Sequence, residues 1–486
     1  MSSSSLPRPE SETQTASLPG LPIPGLRGSL LRYAFKPWVK MGDPIRLFVH
    51  LKQTYGNIAL YKFMGTPIIF INDPEYIREV LVTQAASFVK ERTVRRMKLL
   101  LGEGLITSDD PIHIRQRRIA APAFHRQRIA HYAGQIVTIA AHQRDRWQSG
   151  ETFDIAASSM ALSLEIVART LFDTEVDADI RLVNDEVNAI MDLYNFIVSF
   201  PRITKFMHLP IPGIMKFRRS KARLDAVVDR LVREHREYSA RALAAGQEPD
   251  RGDLLSMLLS SRDELLDADG NPTGETVGMS DEQVRDEVLT IFLAGYETVA
   301  NALTWTWYLL SQNPAAEARM HAELDAVLGT GAARRLPTLA DYPLLRYTEQ
   351  VFAESMRLYP PAWAMGRMST REVKLGPYLI PAGAHIFFSQ YIMGRDPEYF
   401  PEPDRFDPDR FTPEAKAGRP KFAYFPFGGG SRQCIGEAFA WMEGTLSLAT
   451  IAQRWRLRFV PDFPIVLQPK ITLRPKFPVM MQVEAR

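Results

Sequence analysis

Phe427-Gly-Gly-Gly-Ser-Arg-Gln-Cys-Ile-Gly436 places the only cysteine of the 486-residue chain, Cys434, between a glycine-rich stretch and the helical run Glu437 to Trp455. Glycine admits positive φ and lets backbone come close to a flat ligand. A cysteine at a helix N-terminus meets unpaired amides and the positive end of the dipole, which favour thiolate over thiol. A thiolate can ligate iron. A lone cysteine beside glycines is more often structural, so the reading depends on what the rest of the chain supplies.

Composition bounds the chemistry. One cysteine excludes an intramolecular disulfide and every multi-cysteine zinc or iron-sulfur site, and a reduced cytoplasm is the expected compartment. Hydrophobic residues at 45% and charged residues at 24% are ordinary globular values, with ample material for one large core. The net charge is +3. The clusters Arg92, Arg95, Arg96, Lys98 and Arg115, Arg117, Arg118 suit solvated helix faces, a docking surface for an acidic protein, or partners for the carboxylates of a buried cofactor. No aromatic-interleaved basic stripe accompanies them, which argues against nucleic acid. The Ser-rich start, Met1 to Glu12, lacks the basic and apolar regions of a secretory signal. The longest weakly charged stretch, Val288 to Ala316, carries Glu297, Asn301 and several threonines, so it reads as a core helix and not as a transmembrane anchor.

Outward from the cysteine loop the pattern is mainly α with small β-sheets. Residues 1 to 28 combine Ser, Thr and Pro, ending in Leu18-Pro-Gly-Leu-Pro-Ile-Pro-Gly25, the composition of a flexible tail. A single domain is expected over 29 to 486. Asn57 to Phe63 and Pro67 to Asn72 read as a hairpin. Helical periodicity dominates from His113 to Asp263. Within it, Pro201 to Gly213 is apolar yet helix-breaking, which suits either a hydrophobic cap over an entrance or a plain connector. Ser280 and Gln283 form a capping box for a helix that runs to Gln312, before Asn313-Pro314. At 1.5 Å per residue this helix is about 48 Å long and must cross the molecule. Short β runs follow at Val373 to Ile380 and His385 to Ser389, then an irregular Pro-rich stretch from Asp396 to Pro426.

Other stretches bear on chemistry. In Ala294-Gly295-Tyr296-Glu297-Thr298, Gly295 costs about 1 kcal/mol relative to alanine, so something small or flat is expected to need the room. Glu297 is the only formally charged residue from Val288 to Ala316. A buried carboxylate beside a hydroxyl is expensive unless it works or is well paired. A hydrogen-bonded core Glu and a back-bonding Thr are the plainer alternative. Glu354-Ser-Met-Arg357 sets opposite charges one helical turn apart. Its flanks Val351, Phe352, Ala353, Met356 and Leu358 are apolar, which favours a buried pair.

From about Leu18 to the C-terminus the chain resembles the cytochromes P450. The loop is similar to that family's cysteine-ligand loop at Phe427, Gly430, Arg432, Cys434 and Gly436. Glu354 and Arg357 match the family's Glu-x-x-Arg, and Phe406-Asp-Pro-Asp-Arg-Phe411 resembles its meander segment. The resemblance implies the P450 fold, with iron held by Cys434. Haem b would lie between the central helix, at Ala294 and Gly295, and the loop, at Phe427, Gly428, Arg432, Cys434, Ile435 and Gly436. It implies that Arg410 completes a structural triad with Glu354 and Arg357 that braces the loop. It also implies that His113 (where Trp is usual), Arg117, Arg367 and Arg432 contact the haem propionates, and that Thr298 and Glu297 hold dioxygen and relay protons. Tyr296 stands where His is frequent, and Val299 where a second hydroxyl is frequent.

The implied activity is monooxygenation of a hydrophobic substrate, a fatty acid, terpenoid or steroid, by hydroxylation or epoxidation. One atom of O2 enters the substrate and the other leaves as water, with two electrons consumed. No nucleotide fingerprint or iron-sulfur cysteine set occurs, so the electrons are expected from a separate ferredoxin with its reductase or from a flavoprotein reductase. Arg126 and Arg128 are candidates for its docking face. Implied substrate contacts are Phe292, Leu293 and Ala294, Ala362 and Trp363, and Phe477, Pro478 and Val479, with the 86–105 and 201–213 segments. A monomer is expected. A peroxide-using enzyme or isomerase of the same fold would need no relay, and a haem sensor would form no product; both alternatives stay open at this point.

Overall fold

Gly25–Ser29 (β1) adds in parallel to Ile58–Phe63 (β2), which turns at Gly65 into the antiparallel Thr66–Ile71 (β3). The expected hairpin is therefore present. Residues 25 to 28, expected in the tail, instead belong to the sheet: the Leu60 amide donates to the Pro24 carbonyl at 2.8 Å, and a Cβ at Gly25 would overlap the Leu60 carbonyl oxygen. The sheet continues through His385–Phe388 (β11) and Met365–Ser369 (β8) to Phe88–Lys90 (β4). The computed structural model describes residues 22–40, 43–63, 65–172, 186, 209, 211–247, 250–266 and 272–486. Most of the Pro201 to Gly213 cap and residues 1 to 21 lie outside them.

The helices that position the site are Pro44–Tyr55 (α1), Ile112–Ala120 (α2), Arg126–Arg146 (α3), Ile155–Phe172 (α4), Pro212–Ala244 (α5), Asp281–Gln312 (α6), Arg346–Leu358 (α7) and Glu437–Ala452 (α8). The capping box forms as read: the Gln283 amide donates to Ser280 Oγ and the Ser280 amide to Gln283 Oε1. Helix α6 then runs through the main core, with Trp305, Trp307 and Tyr296 almost fully buried. Its length follows from the even spread of apolar side chains, which a helix needs when it is enclosed on all sides. Helix α4 is long and apolar enough to cross a membrane by composition; 61% of it is buried, and it packs on α6.

Short strands frame the C-terminal half. Val373–Leu375 (β9) and Tyr378–Ile380 (β10) pair as one hairpin, and Leu467–Pro469 (β13) and Leu473–Pro475 (β14) as another. Trp455–Phe459 (β12), Met480–Ala485 (β15) and Thr152–Asp154 (β5) form a small sheet, and Asp263–Leu266 (β6) pairs with Pro272–Val277 (β7). The helical run expected to reach Trp455 ends at Ala452, because Trp455 opens β12.

Candidate active site

The cysteine loop is closed by its own backbone: the Cys434 amide donates to the Phe427 carbonyl at 2.9 Å. Gly428 and Gly430 adopt φ of 73° and 70°, and a Cβ on Gly430 would overlap the Leu81 carbonyl oxygen. The glycines thus serve the turn itself. Cys434 has open surface, yet protein surrounds it closely enough that burial pushes its thiol up to about 11. That combination describes a side chain facing an internal recess. The Gly436 amide and Arg117 pull the thiol down, as expected at a helix start, but desolvation outweighs them. A thiolate here therefore needs a bound cation, which deprotonates a coordinating thiol outright.

Cations converge beside the loop. Arg117 Nη1 donates to the Gln433 carbonyl at 2.7 Å, and Arg432 Nη1 to the Ser108 carbonyl at 2.9 Å. Arg432 also lies 3.1 Å from Asp110 Oδ1. His113 is buried, 3.3 Å from the same carboxylate without hydrogen-bond geometry. Burial, followed by the charges of Arg432 and Lys90, holds its imidazole down at about 4. Arg367 is held down to about 10 by burial and then by Arg432, and Lys90 to about 6 by burial, Arg432 and Arg367. Asp109 and Asp110 offset these charges only in part, and a cluster in which cations outnumber carboxylates favours an anion beside it.

On the central helix Glu287, Thr290, Ala294, Thr298 and Asn301 share one stripe by their spacing. Ala294 and Thr298 are partly exposed in a segment whose neighbours Leu293, Tyr296, Glu297 and Val299 are buried. Thr298 Oγ1 donates to the Ala294 carbonyl at 2.8 Å. Glu297 faces the β13–β14 hairpin: its Oε1 accepts from Thr472 Oγ1 and from Arg474 Nη2, both at 2.5 Å. The room at Gly295, expected for something flat or small, is taken by Val167 of α4, which a Cβ would meet at 3.0 Å.

Glu354 and Arg357 form a fully buried pair, with Arg357 Nε to Glu354 Oε2 at 2.6 Å. Arg410 Nε stands 3.5 Å from Glu354 Oε1, within ion-pair distance. The Asp407 amide donates to Glu354 at 2.8 Å, so the three expected residues do meet, tying α7 to the irregular segment before the loop.

The family profile described as Cytochrome P450 matches residues 24–482. This chain is a cytochrome P450. It is 37% identical over 430 residues to cyclooctatin synthase of Streptomyces melanosporofaciens, covering 88% of this chain and 89% of that protein. It is 35% identical to cyclooctat-9-en-7-ol 5-monooxygenase of the same species (93% and 92% covered), and 32% identical to pentalenene oxygenase of Streptomyces avermitilis (87% and 89% covered). The cytochrome P450DA haem domain shares its fold at TM-score 0.80 and 24% identity, over 96% of this chain and 99% of that one. The mainly α fold with small sheets is thus that of the P450s, and the chain is a P450 monooxygenase, whose family cofactor is a haem iron.

The residues present fit such a cofactor: a recessed cysteine thiol lies next to a cluster of cations short of anions. In this P450 the residues expected at the substrate differ in exposure. Phe477 and Pro478 are exposed, and Val479 is bound through its backbone to Asp154 and Ile155. The polar strand after β13 reaches α6 instead, at Thr472 and Arg474, residues that carry no catalytic signature in sequence. Trp363 packs on Phe48 and donates to the Lys470 carbonyl at 2.9 Å, so it is a core residue. Ala362 is partly exposed beside it. The Phe292 ring packs tilted against Phe172 of α4, with centroids 5.7 Å apart, and Leu293 is buried. Arg128 is engaged by Asp250 at 2.6 Å, and the Arg126 side chain lies outside the described residues. Lys90, absent from the sequence-based expectations, stands among the cations because β4 pairs with β8, a contact no local pattern announces.

Proposed function

We propose that the chain hydroxylates or epoxidises a terpenoid, with haem b held through Cys434 and electrons from a separate ferredoxin or flavoprotein reductase. The observation that carries the reading is the single recessed cysteine beside a cluster in which Arg117, Arg367, Arg432 and Lys90 outnumber the carboxylates of Asp109 and Asp110 among the described residues. His113, Arg117, Arg367 and Arg432 would hold the haem carboxylates, and Phe427, Gly428, Ile435 and Gly436 the cysteine face. A thiolate-bound haem supplies dioxygen activation, because the sulfur pushes electron density toward the iron. The terpenoid class is supported by the relatives, one of whose names specifies a hydroxylated olefin. It is also supported by the apolar neighbours of Ala294.

The chain's own contribution is proton handling. Thr298 holds a proton on Oγ1, now directed to Ala294, and Glu297 holds its carboxyl against Arg474 and Thr472. Delivery of a proton from Glu297 to Thr298 requires that hairpin contact to open.

The test is spectroscopic. The reduced protein with carbon monoxide should give the red-shifted Soret band of thiolate ligation, and Cys434→Ser should abolish it. A histidine-type band in the intact protein overturns the reading. Cyclic C15 and C20 olefins and their alcohols should shift the haem spin state, whereas a response confined to fatty acids would refute the terpenoid assignment.

A further inference from the structure

The loop that follows β1 holds apolar side chains out in water on a bonded frame. Its 3-10 turn, Leu30–Tyr33, opens on Ser29, whose Oγ accepts from the Leu31 amide at 3.3 Å. The Ala34, Lys36 and Val39 amides then donate to the carbonyls of Leu31, Tyr33 and Lys36 at 3.3, 2.9 and 2.9 Å. Beneath the loop the Tyr33 ring lies against Trp38, with centroids 5.4 Å apart, and Trp38 stacks on His50 of α1 at 4.0 Å. Tyr33 also donates to the Arg27 carbonyl at 3.2 Å. On that frame Phe35 is 102% exposed and Leu31 62%. Phe63 of β2, brought beside them because Ser29 pairs with Lys62, is 40% exposed. Apolar side chains held in water forfeit the main favourable term in folding, so a surface that takes them up would gain what folding leaves unused.

The second observation is charge. Residues 13–42 contain Arg27, Arg32, Lys36 and Lys40 and no aspartate or glutamate. All four cations are exposed, as is Lys62 on the neighbouring strand. Asp43, the first carboxylate after them, is engaged by Arg46 at 3.1 Å. The patch is therefore basic as well as apolar, which fits an anionic surface. A folded protein would have to supply a separate pocket for each protruding side chain. The boundary between anionic headgroups and acyl chains takes both kinds of group at once. Leu30, Tyr33 and Trp38 pack on the cluster around Leu51, Phe70 and Trp363, whereas Phe427 and Ile435 of the cysteine loop pack on another. The patch is thus distinct from the surroundings of Cys434.

We propose that residues 27–40, with Lys62 and Phe63, are a docking surface for the anionic face of a lipid bilayer, into whose interface Phe35 and Leu31 insert. The contact is peripheral: no helix enters the membrane, and the cations meet headgroups around a shallow apolar tip. Substrates as apolar as the olefins proposed above concentrate in that same phase.

Flotation of the full-length, haem-loaded protein with vesicles tests it. Vesicles of equal parts phosphatidylcholine and phosphatidylglycerol should carry the protein upward at low salt, and raised salt should weaken the binding. Partition should fall about five-fold for each of Arg27, Arg32, Lys36 and Lys40 changed to Gln. Phe35→Ser should lower it about ten-fold, while Phe35→Trp should keep it, because tryptophan favours the membrane interface. Since Phe35 is fully exposed, the thiolate carbon-monoxide band and the Tm of both variants should match the unaltered protein. No flotation with the anionic vesicles, equal flotation with pure phosphatidylcholine, or binding that Phe35→Ser leaves unchanged overturns the proposal. An acidic ferredoxin should bind Phe35→Ser as tightly as it binds the unaltered protein; a loss there assigns the patch to a protein partner and overturns the bilayer.

Discussion

Removing Glu354 while leaving Arg357 should be more damaging than removing both. Arg357 is fully buried and donates twice to Glu354, at 2.6 and 2.7 Å, and to the carbonyls of Gly394, Pro403 and Arg405 at 2.5, 2.6 and 3.1 Å. Glu354→Ala leaves that guanidinium in the interior without a carboxylate and strips the Asp407 amide of its acceptor. Stranding one partner of a buried pair costs about 3–5 kcal/mol. With an unfolding entropy of about 2.1 cal/mol/K per residue, a chain of this length loses about 3–5 °C of Tm. The Glu354→Leu, Arg357→Leu double variant should lose less, since the fully buried charge is gone and only the more exposed Arg410 is left without its carboxylate. Thermal unfolding of the haem-loaded proteins, followed by far-UV circular dichroism and by the thiolate band, measures both. A Glu354→Ala midpoint within about 1 °C of the unaltered protein, or a single variant no worse than the double, would refute the argument.

Two further outcomes follow from the site and the core. Glu443 of α8 is fully buried, accepts from Ser163 Oγ at 2.7 Å, and has its carboxyl pushed up to about 8 by burial. The folded state therefore binds a proton that the unfolded state releases near pH 4.5. Stability from this group is complete below that pH and is lost as pH rises toward 8, by at most about 1.4 kcal/mol per unit. Glu443→Gln should gain on the unaltered protein across that window in urea titrations, and a pH-independent difference would sink the assignment. Thr298→Ala should lower the fraction of electrons that end in product by about 10²-fold, the scale of a positioned proton donor, with more peroxide released; unchanged coupling removes the relay.

How much was legible depended on whether the signal was local. The capping box at Ser280 fixed the start of α6, and the Cys434 loop announced itself through glycines needed at positive φ. Glu354 and Arg357 were readable because one helical turn separates them. Contacts between distant strands were not. Nothing near Lys90 indicates that it will face Arg367. Gly295 misled for the same reason: a missing Cβ reports a close neighbour without naming it, and the neighbour is Val167. The thiol of Cys434 shows the limit of a dipole argument, since burial outweighs the helix amide.

Glu297 is fastened to the hairpin by Thr472 and Arg474, while Asn301 and Trp305, farther along the same helix, bond to Thr472 Oγ1 and the Leu473 carbonyl. The hairpin and the acid are thus one mechanical unit. Exchanging residues 467–475 with those of a relative transplants the acid's surroundings along with the loop, so such chimeras cannot alter substrate fit and proton economy separately.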